Sequence, residues 1–303
     1  MSPDFEFPPN WNVQRHISLT DHTSIRIGGP ADYFAAVKDQ NIFVDLYRFC
    51  RREGIRFLVL GHGTNVFFPE YGFRGLVAVL QFDRMATIAG NAIVAEAGAD
   101  LSDLVQLCAE NALTGCEFAS GIPGTIGGAI YGNAGAYGHA LSERLIRAKV
   151  MTTDGSIQIA TPNFFKFAYR DSELKRNGAM VLQAEFQFSK GDSTQIRARM
   201  QEILELRRAK LPSWETPTAG SYFKNLKDNQ GNPIPAAKLL DAVGSKQISV
   251  GDAAVHPKHA NIFYNRGHAT ATQMLELEAI LRQRVKERFG VNLEREVMYI
   301  DSP

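Results

Sequence analysis

An α+β fold with separate lobes is what this chain predicts, and three observations carry that expectation. Strand-like and helix-like stretches are interleaved along all 303 residues, and no repeat of roughly 20–50 residues, the mark of a solenoid, accompanies them. The length exceeds what one hydrophobic core usually serves, so two or three lobes sharing a sizeable core are expected. Seventeen of the 26 glycines fall in residues 1–150, which sets the first half apart as a ligand cradle and leaves the last third for another task.

In order along the chain, "ADYFAAV" and "RFLVL" read as strands flanking an amphipathic helix from Asn41 to Glu53, with Gly54 as its stop. "GLVAVL" is a further apolar strand. "MATIAGNAIVAEAG" holds Gly90-Asn91 between β-like arms and "AKVMTTDGSIQIA" holds Asp154-Gly155, so both are expected as hairpins, separated by a helix from Leu101 to Leu113. After "MVLQAEFQFS" comes a charged helix, Thr194 to Lys210, ended by Leu211-Pro212. Beyond it "SYFKN", "ISVGDAAV", "NIFYN" and "EVMYI" read as strands around a short helix, Ala236–Val243, and a long one, Ala271–Phe289. Thr270 with Gln273 forms a capping box at the start of the long helix, and Gly290 marks its end. The expected division is 1–80 and 81–205 for two lobes and 206–303 for a C-terminal domain.

Composition narrows the function. The net charge of +1 comes without a long tract of one sign, so nothing resembles the basic face of a nucleic-acid binder. Cys50, Cys108 and Cys116 are odd in number and form no C-x-x-C pair, which points to a reduced, cytoplasmic protein. No apolar run approaches the roughly 18 residues of a membrane span, and the N-terminus lacks a basic start followed by an apolar stretch. Neither nucleic acid nor membrane is an expected partner, and a monomer is expected.

Residues 121–138, "GIPGTIGGAIYGNAGAYG", hold seven glycines and no charged side chain. Glycine has the most backbone freedom to lose, so such density is needed for backbone shape or for close approach. A P-loop is excluded, because no Gly-Lys-Ser or Gly-Lys-Thr occurs. A dinucleotide fingerprint is partly matched by Gly61, Gly63 and Asp83, but its third glycine is missing and "VFFPEYG" is a poor helix opening. The remaining reading has "GHGTN" and "GIPGTIGG" facing each other and presenting backbone N–H groups to a diphosphate. Tight turns and close strand packing explain either loop alone, but are a poorer account of all four glycine clusters together.

"HTSIRIGGPAD" (22–32), "GHGTNVFF" (61–68), "GCEFASGIPGTIGGAIYGNAGAYG" (115–138), "YRDS" (169–172), "GSYFKN" (220–225), "KHANIFYN" (258–265) and "LEREV" (293–297) resemble, in order and spacing, the UDP-N-acetylenolpyruvoylglucosamine reductases. The resemblance implies a two-lobed FAD-binding domain of the vanillyl-alcohol-oxidase type, with a C-terminal α+β substrate-binding domain. It also implies the reaction: NADPH reduces non-covalently bound FAD, which reduces the enolpyruvyl ether of a UDP-sugar to UDP-N-acetylmuramate for peptidoglycan synthesis. About fifty residues separate Arg170 from Ser221, which matches the shorter type without an inserted substrate loop. Another flavin oxidoreductase on the same scaffold and a non-catalytic sugar-nucleotide binder are the alternatives. The combination of Arg170, Ser221 and Glu296 speaks against the second, because binding alone would not need all three.

The resemblance assigns FAD contacts to Arg26, Gly28, Gly61, Gly63, Thr64, Asn65, Gly121, Ile122, Pro123, Gly124, Thr125, Gly127, Gly128, Asn133 and Gly135. Arg170 suits the substrate carboxylate, since a guanidinium grips it in bidentate fashion and stays charged; the bland account is an arginine closing a short "NFFKFAY" helix. Glu294 and Glu296 lie two apart in an expected strand and share a face. Residue physics leaves the choice between them open, whereas the family's pattern points to Glu296 as partner of the developing enolate. Acting there as a donor would require a raised pKa. Ser221 corresponds to the family's proton donor, though a serine after glycine is ordinarily a turn residue. Lys210, Asn225 and His259 are the expected substrate contacts, with a helix C-terminal cation as the competing account of Lys210. His256 and His259 in "HPKH" have no carboxylate or thiol at ligand spacing, so no metal is expected. The chain departs from the family's pattern at Thr64, at Leu226 and in the terminal "YIDSP".

Overall fold

The computed structural model describes residues 5–228 and 230–301. Two sheets and the helices against them share the largest core. In the first, the strand order is Gln14–Ser18, Pro30–Val37, Phe73–Leu80, Phe57–Leu60. The last three run parallel and Gln14–Ser18 is antiparallel to its neighbour. The crossover between Pro30–Val37 and Phe57–Leu60 is the helix Gln40–Arg52. Asp39 starts it by accepting from the Asn41 and Ile42 N–H groups, and Phe43, Leu46 and Cys50 bury its apolar stripe.

The second sheet is antiparallel, in the order Ile157–Ala160, Leu145–Met151, Met180–Gln187, Ala92–Glu96, Met85–Ile88. Its hairpins turn where expected. Gly90 and Asn91 have φ of 76° and 62°, the left-handed pair that a two-residue turn between twisted strands requires. Both sheets feed one core, in which Tyr33, Leu76 and Phe43 pack with Ile93, Ala95 and Leu182.

The C-terminal domain has a four-stranded antiparallel sheet, Thr218–Ser221, Ile262–Asn265, Ala253–Val255, Ser249–Val250, covered by the helix Ala271–Phe289. That helix has the expected bounds, its capping box and Gly290 at φ 71°. The core of this domain takes in Ile25, Ile27 and Phe67 from the first lobe. The chain end then returns there, with Met298–Tyr299 pairing in parallel with Val66–Phe67. Three bodies therefore meet along the loop that follows Phe57–Leu60.

Several local expectations are corrected. The helix from Leu101 stops at Glu110, because Ala112 turns to φ 52° and Leu113–Thr114 pairs with Ser189–Lys190. "ISVGDAAV" is two short strands folded through Gly251-Asp252. The strand expected over "SYFKN" lies earlier, at Thr218–Ser221, and ends as the chain leaves the sheet past the positive-φ Gly220. Helix Ser193–Lys210 ends at Leu211, where the sequence also offers a boundary; the division at 205/206 falls inside this helix and stays a proposal. The helix in "NFFKFAY" ends at Phe165, with Lys166 left-handed, so Arg170 does not close it.

Candidate active site

The two glycine loops do face each other. A Cβ built on Gly61 would lie 2.5 Å from Thr125 Oγ1, and one on Gly124 would lie 3.4 Å from Thr64 Oγ1. Any larger residue at 61 would close the gap between the loops. Thr125 caps the short helix Ile126–Tyr131 by accepting from the Gly128 N–H at 3.3 Å. Gly127 lets that helix lie on Ala97, with its N–H bonded to the Ala97 carbonyl at 2.8 Å. Other glycines of the motifs serve packing: Gly63 sits against the His22 carbonyl, Gly28 against Leu19, and Gly135 against the His139 carbonyl.

Beside these loops, at the C-terminal ends of the parallel strands, lies a cavity of about 330 Å³ lined by Lys38, His62, Gln81, Asp83, Asp100 and Asp103. This is where open α/β sheets hold ligands. His62 Nε2 pairs with Asp100 Oδ1 at 2.9 Å, tying the first loop to the segment that pairs with Thr125. The donor set fits FAD in two parts. The N–H groups of Ile122, Ile126, Gly127 and Gly128 are bonded within the protein, so it is the remaining N–H groups of the two loops that suit a pyrophosphate, and the carboxylates of Asp83 and Asp103 suit ribose hydroxyls and would repel phosphate.

Further along the same loop, Asn65 Nδ2 donates to the Glu296 carbonyl at 3.2 Å, and the Met298 N–H donates to the Asn65 carbonyl at 2.9 Å. The cradle thus leads directly to Glu296. Glu296 Oε1 lies 2.8 Å from Arg170 Nε, in an ion pair whose angle is not that of a hydrogen bond, since Arg170 Nε has no hydrogen-bond partner among the described residues. Arg170 is held at φ 55°, a left-handed conformation uncommon for a long side chain. The Lys175 ammonium donates to its carbonyl at 2.7 Å. Ser221 joins this pair through its neighbour: the Glu296 N–H donates to the Tyr222 carbonyl at 2.8 Å.

Electrostatics separates the two glutamates. Glu294 is 71% exposed and ion-paired with Lys224, whereas Glu296 is 15% exposed. Burial raises the Glu296 carboxyl above its ordinary value, against the opposing charges of Arg170, Lys175 and Lys224. Lys175 is itself pushed down, first by burial, with the nearby Lys224 charge adding to it.

Sequence reasoning missed Lys175, Lys224 and Arg207. Arg207 packs on Gly121, where a Cβ would meet its Nε at 3.0 Å, and that Nε is buried without a hydrogen-bond partner among the described residues. Burial lowers its pKa, and the charge of Arg170 acts in the same direction. Arg207 as a whole is half-buried, and an anionic oxygen brought to it would satisfy this unpaired donor. Only its place one turn before Lys210, with Gly121 distant in sequence, could have signalled it.

Other expected residues fall outside the pair. Asn133 is buried, donating to the Ala168 carbonyl at 2.9 Å and accepting from the Ser142 N–H, so its side chain braces the segment before Arg170. Asn225 Oδ1 accepts the Ala236 N–H at 3.0 Å and serves the helix Ala236–Ala242. Leu226 pairs with Ile234 in a two-stranded ribbon. His259 Nδ1 accepts the Asn261 N–H, and burial lowers its pKa. Lys210 is exposed at its helix end and Arg26 is exposed at φ 56°, while Ile122 is half-buried and Pro123 exposed. Among the described residues no group of three or more His, Cys, Asp or Glu could hold a metal ion, and no helix is long and apolar enough to cross a membrane.

Comparisons with known proteins converge. Residues 31–161 match the model of an FAD binding domain, and residues 212–300 match that of the C-terminal domain of UDP-N-acetylenolpyruvoylglucosamine reductase. UDP-N-acetylenolpyruvoylglucosamine reductase 2 of Bacillus cereus is 37% identical over 292 residues, covering 96% of this chain and 94% of its own. The Enterococcus faecalis reductase is 38% identical over 284 residues, covering 93% and 92%. Among solved structures, the Thermus caldophilus UDP-N-acetylenolpyruvylglucosamine reductase superposes with a TM-score of 0.78 at 30% identity, covering 95% of this chain and 99% of its own.

Proposed function

Because the chain belongs to the UDP-N-acetylenolpyruvoylglucosamine reductase family and is an FAD-dependent oxidoreductase, we propose that it reduces the enolpyruvyl ether of UDP-N-acetylglucosamine with electrons from NADPH, in peptidoglycan precursor synthesis. The observation that carries this reading is the Arg170–Glu296 pair at 2.8 Å, assembled from two domains at the end of the glycine cradle and next to Ser221. When bound and reduced by NADPH, FAD would supply the hydride.

The protein's own groups then have distinct tasks. Arg170, with Lys175 and Lys224 behind it, forms a cationic wall that holds the substrate carboxylate as negative charge spreads onto it. A carboxylate placed on Arg170 adds a second negative charge beside Glu296 and drives that carboxyl further toward its protonated form. Glu296 can then donate a hydrogen bond to the developing enolate. The Ser221 hydroxyl passes its proton to the substrate carbon that does not receive the hydride. Arg207 is reserved for an anionic oxygen of a bound ligand.

A visible spectrum of the purified protein, followed by NADPH oxidation with and without the enolpyruvyl substrate, tests the reading. Substrate-dependent turnover is expected. A flavin that NADPH reduces, but that the substrate never reoxidises, would assign the scaffold to another acceptor.

Two further outcomes follow from the site. FAD is expected to be non-covalent, because His62 is occupied by Asp100 and the cradle holds its ligand by backbone contacts. Acid precipitation should leave the yellow colour in the supernatant, and colour retained in the pellet would contradict this. Lys210→Ala is expected to raise KM with kcat nearly unchanged, since a cation on a diphosphate stabilises ground and transition states alike. A large fall in kcat at saturating substrate would move Lys210 into the chemical step.

A further inference from the structure

Behind the proposed catalytic pair, on the side facing the C-terminal core, sits a second polar cluster that the reaction does not use. Glu278, on the helix Ala271–Phe289, is only 7% exposed. Its Oε2 accepts from the Tyr222 hydroxyl at 2.9 Å and from Arg295 Nη1 at 3.1 Å, while Oε1 lies 2.9 Å from Arg282 Nε. Tyr222 is fully buried and stacked on Phe263, with ring centroids 4.0 Å apart. Burial, reinforced by the Glu278 charge, pushes the Tyr222 phenol up, so it remains a donor across the accessible pH range.

Two of the three residues that Glu278 meets are immediate neighbours of the proposed catalytic groups. Tyr222 follows Ser221, and Arg295 precedes Glu296. The two segments are themselves joined: Phe223 bridges Arg295, the Glu296 N–H donates to the Tyr222 carbonyl, and the Lys224 N–H donates to the Glu294 carbonyl. Tyr222 and Phe223 are both buried in the C-terminal core, so the grip on Tyr222 and Arg295 anchors both segments from the core side, each one residue away from Ser221 and Glu296. Glu296 is met by Arg170 of the other domain. Asn261 adds to the same scaffold, with its carbonyl accepting the Tyr222 N–H and its side chain bonded to both backbone polar groups of Phe223.

We infer that Glu278 is a positioning residue for the reaction: through Tyr222 and Arg295, one buried carboxylate sets the distance between the Ser221 hydroxyl and the Glu296 carboxyl. This rests on the function proposed above, because it assumes that those two groups act together on the substrate. A structural salt-bridge cluster would matter equally to every step. A positioning cluster should matter only to the step in which both groups take part, where a displacement of about 1 Å can cost about 10²-fold.

The test uses the flavin-loaded enzyme and measures the two half-reactions separately by rapid mixing, per bound flavin, with thermal midpoints recorded alongside. Tyr222→Phe keeps ring stacking and removes only the hydroxyl. Glu278→Gln keeps shape and removes the charge. Arg282→Gln removes the partner of the other oxygen and a cation 5.8 Å from the Phe223 ring centroid, and leaves the bonds of Glu278 to Tyr222 and Arg295 in place. The first two are expected to slow reoxidation by the enolpyruvyl substrate about 10–10²-fold and to shift its pH profile, leaving flavin reduction by NADPH unchanged. Arg282→Gln should lower the thermal midpoint without slowing reoxidation. If Glu278→Gln fails to fold, Tyr222→Phe carries the test. Folded variants that reoxidise at the wild-type rate, or that slow in both phases alike, would overturn the inference. A wild-type enzyme that the enolpyruvyl substrate does not reoxidise would instead refute the underlying function, so the two failures are distinguishable.

Discussion

Ser221→Ala is expected to leave reduction of the flavin by NADPH near its wild-type rate while slowing reoxidation by the enolpyruvyl substrate about 10²–10⁴-fold, the usual cost of losing a positioned acid. The two phases have different needs. Accepting a hydride from NADPH requires no proton from this hydroxyl, whereas delivering one to the enolpyruvyl group leaves a basic carbon that must be protonated. Ser221 ends the strand Thr218–Ser221, in register with Ile262, and removing one oxygen there disturbs no core contact. The effect should therefore appear in one kinetic phase and not in the thermal midpoint. Equal slowing of both phases would make Ser221 a shared-site or structural residue. With neither slowed, the proton must come from a water or from Glu296.

Glu296→Gln is expected to lower the reoxidation rate about 10²-fold, because the amide keeps an N–H but has no acidic proton to share with the developing enolate, and at the same time to make the folded protein more stable at neutral pH. The stability effect follows from the direction of the pKa shift. Burial raises the folded-state pKa above the unfolded value, so in the window between them the folded state binds the proton more tightly. Stability then falls as pH rises through that window. Glutamine imitates the protonated form at every pH, so the variant should lose this fall. Its advantage over wild type should be absent below the ordinary carboxylate pKa and complete above the raised one. Urea unfolding of both proteins across that range, together with reoxidation rates, measures the two effects. Identical pH dependence of stability in wild type and variant would show that Glu296 ionises without cost and that Arg170 fully compensates its burial.

The sequence by itself determined what is decided within a few residues of a position. Gly90-Asn91 dictates a tight hairpin because both positions need positive φ. Thr270, Gln273 and Gly290 delimit a helix because they satisfy its terminal N–H and C=O groups, and the glycine density at 121–138 requires a closely approached cradle. The family likeness added the names of Arg170, Ser221 and Glu296, although residue physics left Glu294 and Glu296 equivalent. Tertiary structure separated those two. The expected strand would place both on one face, but no strand forms over them; the packing of the C-terminal domain against the second lobe buries Glu296 beside Arg170 and leaves Glu294 exposed, paired with the half-buried Lys224. The same long-range packing turned Asn133 and Asn225 inward to backbone groups, set Arg207 against Gly121, and brought Met298–Tyr299 back to Val66–Phe67. Caps and turns are legible because their energies depend on adjacent dihedrals. Burial and ion pairing depend on which distant surfaces the shared core brings together, and no local signal records that.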